Sequence, residues 1–247
     1  MKSRFILLIV SLLILTNTIA KSQTTYYVSE SGNNNNDGLT PQTAFASLQH
    51  AADLVEAGDS VLVLTGNYTG FDIRTNATQN SPIVFKVVES NVIIDQPNST
   101  TPDGINVENA SWIVIDGFEV SDQPRAGIRA AVSDFITIKN NYCHNNYRWG
   151  IFTGFTDDLT LENNTCSYSE DEHGIYVSNS SDRPTIRNNH SFNNNGCGIH
   201  MNGDISMGGD GIISNAIVEG NIIHDNGYGG GSAIIWMEFR TPKYSIT

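Results

Sequence analysis

A Gly-Ile pair recurs through the middle of this 247-residue chain every 23 or 24 residues. The anchors are Gly104-Ile105, Gly127-Ile128, Gly150-Ile151, Gly174-Ile175 and Gly198-Ile199. A fixed period of this length marks a repeat architecture, in which each unit buries its apolar face only by stacking on its neighbours. The period is too short for the usual helix-pair solenoids. Each unit also carries short β-branched runs, which favour strands.

Each unit reads as a Gly-Ile strand, a turn, a second apolar strand, a polar turn and a third short strand. The second strands are predicted at Ile113-Val114-Ile115, Ile136-Thr137-Ile138, Leu159-Thr160-Leu161, Thr185-Ile186 and Ile217-Val218. Period-two alternation sends Ile136 and Ile138 to one face and Thr137 to the other. The turns that follow are Asp116-Gly117, Asn140-Asn141, Asn163-Asn164, Asn188-Asn189 and Gly220-Asn221. Asn and Gly tolerate the left-handed conformation that a tight corner needs, and stacked Asn side chains can hydrogen-bond along a ladder. Tyr142-Cys143-His144 exemplifies the third strand. Three strands and three corners per turn predict an all-β fold, a single-stranded right-handed parallel β-helix with coils of about 23 residues. Its inward stack contains Ile105, Ile128, Ile151, Ile175, Ile199 and Ile234. A β-sandwich has evenly spaced strands too, but it does not need the same residues at a fixed period.

One short N-terminal helix is predicted over 47–56. Phe45, Leu48, Ala52 and Val55 share a face, Ser47 can cap the start and Gly58 can end it. Such a helix covers the first coil, which is otherwise an open edge.

Residues 1–20 have the form of a secretory signal peptide. Lys2 and Arg4 precede an apolar run from Phe5 to Leu15, and Thr18-Ile19-Ala20 offers a small residue for cleavage. That run is short for a membrane span. The expectation is one β-helix domain over 21–247, monomeric and secreted to the extracellular space or periplasm, with no membrane span after cleavage. The net charge of −13 argues against nucleic acid, whose binding needs a basic surface. It permits divalent cations, and it makes an acidic polysaccharide depend on a cation or an Arg cluster.

Cys143 and Cys166 occupy equivalent positions one repeat apart, followed by Ser191 and Ile223 in later coils. This is expected to be an inward row, with two buried thiols within disulfide reach. The last stretch, Ile234 to Thr247, loses the Asn and Gly punctuation of earlier coils. Read one base earlier, one codon choice for Ile235 to Pro242 gives Asn-Met-Asp-Gly-Val-Gln-Asn-Ser, an ordinary β-helix continuation. The expectation is that the domain is C-terminally incomplete, as a fragment or through a frame slip.

The upstream segments Tyr26-Tyr27-Val28-Ser29, Ser31-Gly32-Asn33 through Asp37-Gly38, Ala44 through Gln49, Gly58 through Val61 and Gly66-Asn67-Tyr68 add a further signature. With the repeat, this block resembles the pectate-lyase-like β-helix superfamily, and the resemblance covers nearly the whole mature chain. It implies that an extracellular polysaccharide lies across the outer face of the Gly-Ile strand. If each Ile points inward, the outward row is Asn106, Arg129, Phe152, Tyr176 and His200. Asp103, Ala126, Trp149, His173 and Cys197 stand just before each Gly.

This gathers Trp149, Phe152, Tyr176, His173 and His200, with Arg129 and Arg148 beside them. Aromatic side chains with polar tips suit sugar rings. The second-strand outer row of Lys139, Glu162, Arg187 and Glu219 alternates in sign and reads instead as a structural charge ladder. The repeat widens to 35 residues between Gly198 and Ala233, and the insertion carries Asn202, Asp204 and Asp210. A loop grafted onto a solenoid commonly builds a binding face.

The run Ser169-Glu170-Asp171-Glu172 ahead of His173 suggests Ca²⁺, with Asp171, Glu172 and Asp210 as ligands. A β-eliminating lyase must neutralise a uronate carboxylate, remove the C5 proton and protonate the leaving oxygen. Arg129, Arg148 or Ca²⁺ could perform the first task, and His173, His200 or Tyr176 the others. No Lys lies on this row, which departs from the Lys or Arg base that the resemblance implies. A hydrolase would need opposed carboxylates, for which Glu172 with Asp204 or Asp210 is the candidate pairing. A uronate C5-epimerase or a non-catalytic carbohydrate-binding solenoid complete the alternatives.

Overall fold

The computed structural model describes residues 23–237, and these form a right-handed parallel β-helix. The expected signal peptide and the end of the expected frame-slipped stretch lie outside them. Among the described residues the strands build three parallel sheets. The first holds the five Gly-Ile strands, Ile105–Glu108, Ala126–Asp134, Trp149–Asp157, Ile175–Ser178 and Ile199–Asn202, flanked by Phe71–Ile73 and Ile234–Met237. The second runs from Thr25–Val28 to Ile217–Glu219, and the third from Gly66–Thr69 to Ile222–His224. The second-strand positions read from the sequence are correct, with several bounds one residue further on, as in Thr137–Lys139 and Thr160–Glu162.

Register follows the repeat. Ile105 pairs with Ile128, Ile128 with Ile151, Ile151 with Ile175, Ile175 with Ile199 and Ile199 with Ile234. The first five are fully buried, and Ile234 packs against the core from its end. Cys143 and Cys166 face each other across the third sheet, buried and as free thiols. Burial pushes the Cys166 thiol well above its ordinary value.

The glycine of each Gly-Ile pair is explained by close approach of the coils. A Cβ on Gly127 would lie 2.8 Å from the Gly150 carbonyl oxygen, and one on Gly150 2.7 Å from that of Gly174. The same clash recurs from Gly104 onto Gly127 at 2.7 Å and from Gly174 onto Gly198 at 2.9 Å.

The corner asparagines form the expected ladder. Asn140, Asn163 and Asn188 take positive φ, while the buried Asn141, Asn164 and Asn189 run along the helix axis. The backbone N–H of Asn141 donates to Asn164 Oδ1 at 3.1 Å, that of Asn164 to Asn189 Oδ1 at 2.9 Å, and that of Asn189 to Asn221 Oδ1 at 2.9 Å. A second ladder, not read from the sequence, runs through Asn146, Asn194 and Asn226 at the next corner. The outer row of Lys139, Glu162, Arg187 and Glu219 stands in register, but of the expected charge ladder the ion pair formed is Arg187 to Glu162 at 3.0 Å, while Lys139 approaches Asp116 at 3.7 Å.

The helix spans Leu48–Leu54, shorter than the sequence suggests. Ser47 caps it through His50 N–H, but it ends at Val55 rather than near Gly58, whose φ of +96° serves the next turn. Phe45, Leu48, Ala52 and Val55 are all buried, and the helix packs on the first coil.

Gly150→Ala is expected to destabilise the protein by about 1–3 kcal/mol, the usual cost of overpacking a tight interior. Urea unfolding measures this. An unchanged midpoint would show that the coils can part at no cost.

Candidate functional site

The outer row of the first sheet stands in register as Asn106, Arg129, Phe152, Tyr176 and His200. Its two halves differ in character. Upstream is a charged network. Arg129 donates to Asn106 Oδ1 at 2.6 Å and to Glu108 Oε1 at 3.1 Å. Glu108 also binds Arg74, at 2.5 Å. Asn106 is fully buried and donates to Asp72 Oδ1 at 2.7 Å, and Asp72 also takes the Thr100 hydroxyl. Arg129 is therefore bound into a structural network. Asp103 is likewise buried, held by Arg125 at 2.9 and 2.5 Å.

The downstream half is aromatic. Phe152 lies 4.6 Å from Trp149 and 5.6 Å from Tyr176, ring centre to ring centre. Trp149 is only 7% exposed, so it is the floor of the patch rather than an open sugar-stacking surface. Its Nε1–H donates to Glu172 Oε2 at 2.8 Å, and the Arg148 guanidinium sits 4.5 Å above its ring. Glu172 Oε1 accepts from Arg148, and Asp171 lies 3.7 Å from the same guanidinium.

The two histidines join into a directed chain. Cys197 N–H donates to His173 Nδ1 at 2.8 Å, and His173 Nε2 lies 2.7 Å from His200 Nδ1. A backbone amide can only donate, so neutral His173 carries its proton on Nε2 and gives it to His200 Nδ1. His200 then carries its proton on Nε2, which is shielded from solvent and has no partner. Burial, with the neighbouring His200 and Arg148, pushes His173 down to about 4. Burial also lowers His200. Both rings are neutral at pH 7.

The His200 ring stacks on Tyr176 at 4.7 Å with 14° between planes, and His173 meets Tyr176 edge-on at 5.3 Å. Asn202 Nδ2 donates to the Tyr176 oxygen at 3.3 Å. Burial, followed by the charges of Glu172 and Asp204, raises the Tyr176 phenol above its ordinary value.

The widened repeat divides the residues expected of it. Asn202 touches Tyr176, and Asp204 reaches it electrostatically while capping Ile205–Met207 through Ser206. Asp210 instead caps Ile212, in a loop anchored where Ser180 accepts from Gly211 N–H at 2.7 Å. Asp171, Glu172 and Asp210 do not fit a Ca²⁺ cage, because a guanidinium already occupies Glu172 and approaches Asp171. Among the described residues no three His, Cys, Asp or Glu side chains are grouped to hold a metal.

Residues 73–237 match the family described as a right handed beta helix region. The chain belongs to the right-handed β-helix family. The curated protein YwoF of Bacillus subtilis (strain 168), itself uncharacterized, is 28% identical over 130 residues, 47% of this chain and 28% of its own length. The structure of pectate lyase Pel9A superposes with a TM-score of 0.68 at 17% identity, over 92% of this chain and 62% of that one. The GH136 lacto-N-biosidase from Eubacterium ramulus gives 0.71 at 14% identity, over 91% and 51%. This β-helix chain thus spans less than two thirds of each of these proteins. The pectate-lyase-like resemblance read from the sequence holds for the fold. No helix among the described residues is long and apolar enough to cross a membrane.

Stability is expected to fall with pH through the window set by His173. A depressed imidazole contributes fully above the unfolded value of about 6.5 and loses that contribution as pH drops toward about 4. Urea unfolding from pH 7.5 to 4 should show the decline, with a shallower slope in His173→Gln. Equal slopes would show that His173 titrates normally.

Proposed function

We propose that this protein is secreted and acts on an extracellular uronate-containing polysaccharide, cleaving it by β-elimination on the aromatic half of the first sheet's outer face. The observation that carries this reading is Tyr176. It is partly exposed, flanked by Phe152 and His200, and its oxygen receives Asn202. The pectate lyase and the lacto-N-biosidase that share the fold support a saccharide ligand on this scaffold.

In the proposed reaction the Tyr176 phenolate removes the proton from C5 of the uronate. The C5–H electron pair forms the C4=C5 double bond, the C4–O bond breaks, and the new phenol returns the proton to the leaving oxygen. Arg148 donates to Glu172 through Nη2 and keeps other N–H groups for the uronate carboxylate, its side chain being 41% exposed. Phe152 packs against a sugar ring. His173 and His200 act as positioning residues that hold the Tyr176 ring.

Hydrolysis fits less well. Glu172 is taken by Arg148 and Trp149, and Asp204 by Ser206, so neither is free to serve as an acid–base pair. Non-catalytic binding has one observation in its favour: Arg129 and Arg148 both already have carboxylate partners.

The test is absorbance at 235 nm on pectate, alginate and glycosaminoglycans, with and without chelator. A rise reports the unsaturated uronate. The rate should increase as pH rises into the alkaline range, because Tyr176 must ionise above its ordinary value. Tyr176→Phe should lower it by about 10²–10⁴-fold, and chelator should leave it unchanged. A flat trace from folded protein that still binds the polysaccharide would replace the lyase with a binding solenoid.

A further inference from the structure

The corner that leads from the first sheet into the second carries two aromatic residues where its backbone favours small polar ones. Trp112 and Phe135 stand two residues before Val114 and Thr137, which pair in the second sheet. The same place in the next two coils is held by Asp158 and Arg183. All four take positive φ, +60° at Trp112, +55° at Phe135, +53° at Asp158 and +57° at Arg183. Bulky side chains rarely adopt that backbone, and strain of this kind gathers at functional sites. Phe135 is 38% exposed and Trp112 half-buried. With Gln79, Thr137, Asp158 and Thr160 they line a cavity of about 280 Å³ over the outer face of the second sheet.

The stack uses one face of each ring. Trp112 and Phe135 lie parallel, their centres 4.0 Å apart with 3° between planes, so Trp112 covers the upstream face of Phe135. The coil downstream offers the shorter Asp158 at this place. Arg183, one coil further on, draws that carboxylate toward itself through two hydrogen bonds of 2.8 Å. Among the described residues no second ring and no guanidinium packs on Phe135. Phe135 therefore ends the stack, with its downstream face open to the cavity.

The groups around that face suit hydroxyls. Thr137 and Thr160 stand in register on the outer face, half-buried, and among the described residues neither hydroxyl has a hydrogen-bond partner. The Arg183 hydrogen bonds hold Asp158 below the usual carboxylate range, and the ionised group keeps lone pairs that Arg183 does not use. Charge selects the kind of sugar. Arg183 is shared by Asp158 at 2.8 Å, Asp157 at 3.2 Å and Asp182 at 3.8 Å. An acidic sugar would meet an excess of carboxylates here and no free cation.

We propose that this corner is a second carbohydrate site, which binds a neutral hexopyranose unit by laying the apolar face of its ring on Phe135 while its hydroxyls reach Thr137, Thr160 and Asp158. An aromatic face with a few placed polar groups is the chemistry such a ring needs. Trp112 backs Phe135 and fixes the plane of its ring. The site is on the second sheet, so it anchors the protein to a neutral glycan independently of the reaction proposed for the first.

Calorimetric titration of the full chain with the hexasaccharides of galactan, mannan and cellulose tests this, with hexagalacturonate as the acidic comparison. Wild type is expected to bind at least one neutral hexasaccharide. Phe135→Asn places at this corner a residue that its backbone favours, so it should weaken binding by about tenfold without lowering the melting temperature. Phe135→Tyr keeps the ring and should keep the affinity. Thr160→Val should weaken binding by about 2–10-fold, and Tyr176→Phe, on the other face, should leave it unchanged. Wild type that binds no neutral hexasaccharide would overturn the site, as would equal affinity in wild type and Phe135→Asn. A loss of hexagalacturonate binding in Phe135→Asn would overturn the choice of a neutral sugar. Circular dichroism confirms that each variant is folded.

Discussion

The close approach of successive coils at the Gly-Ile row is the constraint on which the rest of the molecule depends. Where Gly127, Gly150 and Gly174 meet the next coil, the backbone carbonyl occupies the space of a Cβ. None of these glycines has a positive φ, so they serve proximity and not conformational freedom. Proximity at this row lets the first-sheet strands hydrogen-bond in register, and register places every side chain of the outer face. A one-residue slip would send the outward row inward. Phe152, Tyr176 and His200 are neighbours because glycines sit two residues before each of them.

The Asn ladders lock the same register from other corners. Each buried Asn side chain accepts the backbone N–H of the coil before it, so its register is held by side chain and strand together. Rigidity of this kind allows a neutral histidine pair to persist. His173 is fixed by a backbone donor that belongs to the following coil, at Cys197. A looser scaffold would let the imidazole turn to water and regain its ordinary basicity. Here burial dominates and the ring stays neutral.

The repeat was legible because it is a translational symmetry. The inward isoleucines, the outward row and the Cys143–Cys166 facing all follow from one period. Other features have no such signature. Trp112, Val132, Phe135 and Phe155 take positive φ at corners where neighbouring coils carry Asn, Asp or Arg. Bulky side chains rarely adopt that backbone, and stacking neighbours rather than local preference holds them there. Trp112 and Phe135, for instance, stack at 4.0 Å with 3° between planes. The site was half legible for a related reason. Position on the row was readable, but pairing was not. The bonds from Arg148 and Trp149 to Glu172 turn an apparent Ca²⁺ ligand into the anchor of an aromatic floor. The acid run and the tryptophan lie in adjacent coils, and sequence spacing alone does not say which way a long side chain reaches.

The two histidine pairs, His173–His200 and His190–His224, show how little separates different chemistries on such a scaffold. Each joins neighbouring coils, each has nitrogens under 3 Å apart, and each has at least one imidazole lowered in basicity. What differs is the group behind them. A backbone N–H behind His173 can only donate, so it pushes the proton toward His200 and leaves the pair a hydrogen-bond relay. A carboxylate behind His224 can only accept, so it pulls the proton back and leaves a lone pair facing the neighbour. One arrangement holds an aromatic wall in place, and the other ties the outer faces of two coils of the third sheet together through a hydrogen bond between His190 and His224. The β-helix supplies near-identical spacing in both sheets, and the single residue at the next corner selects between them.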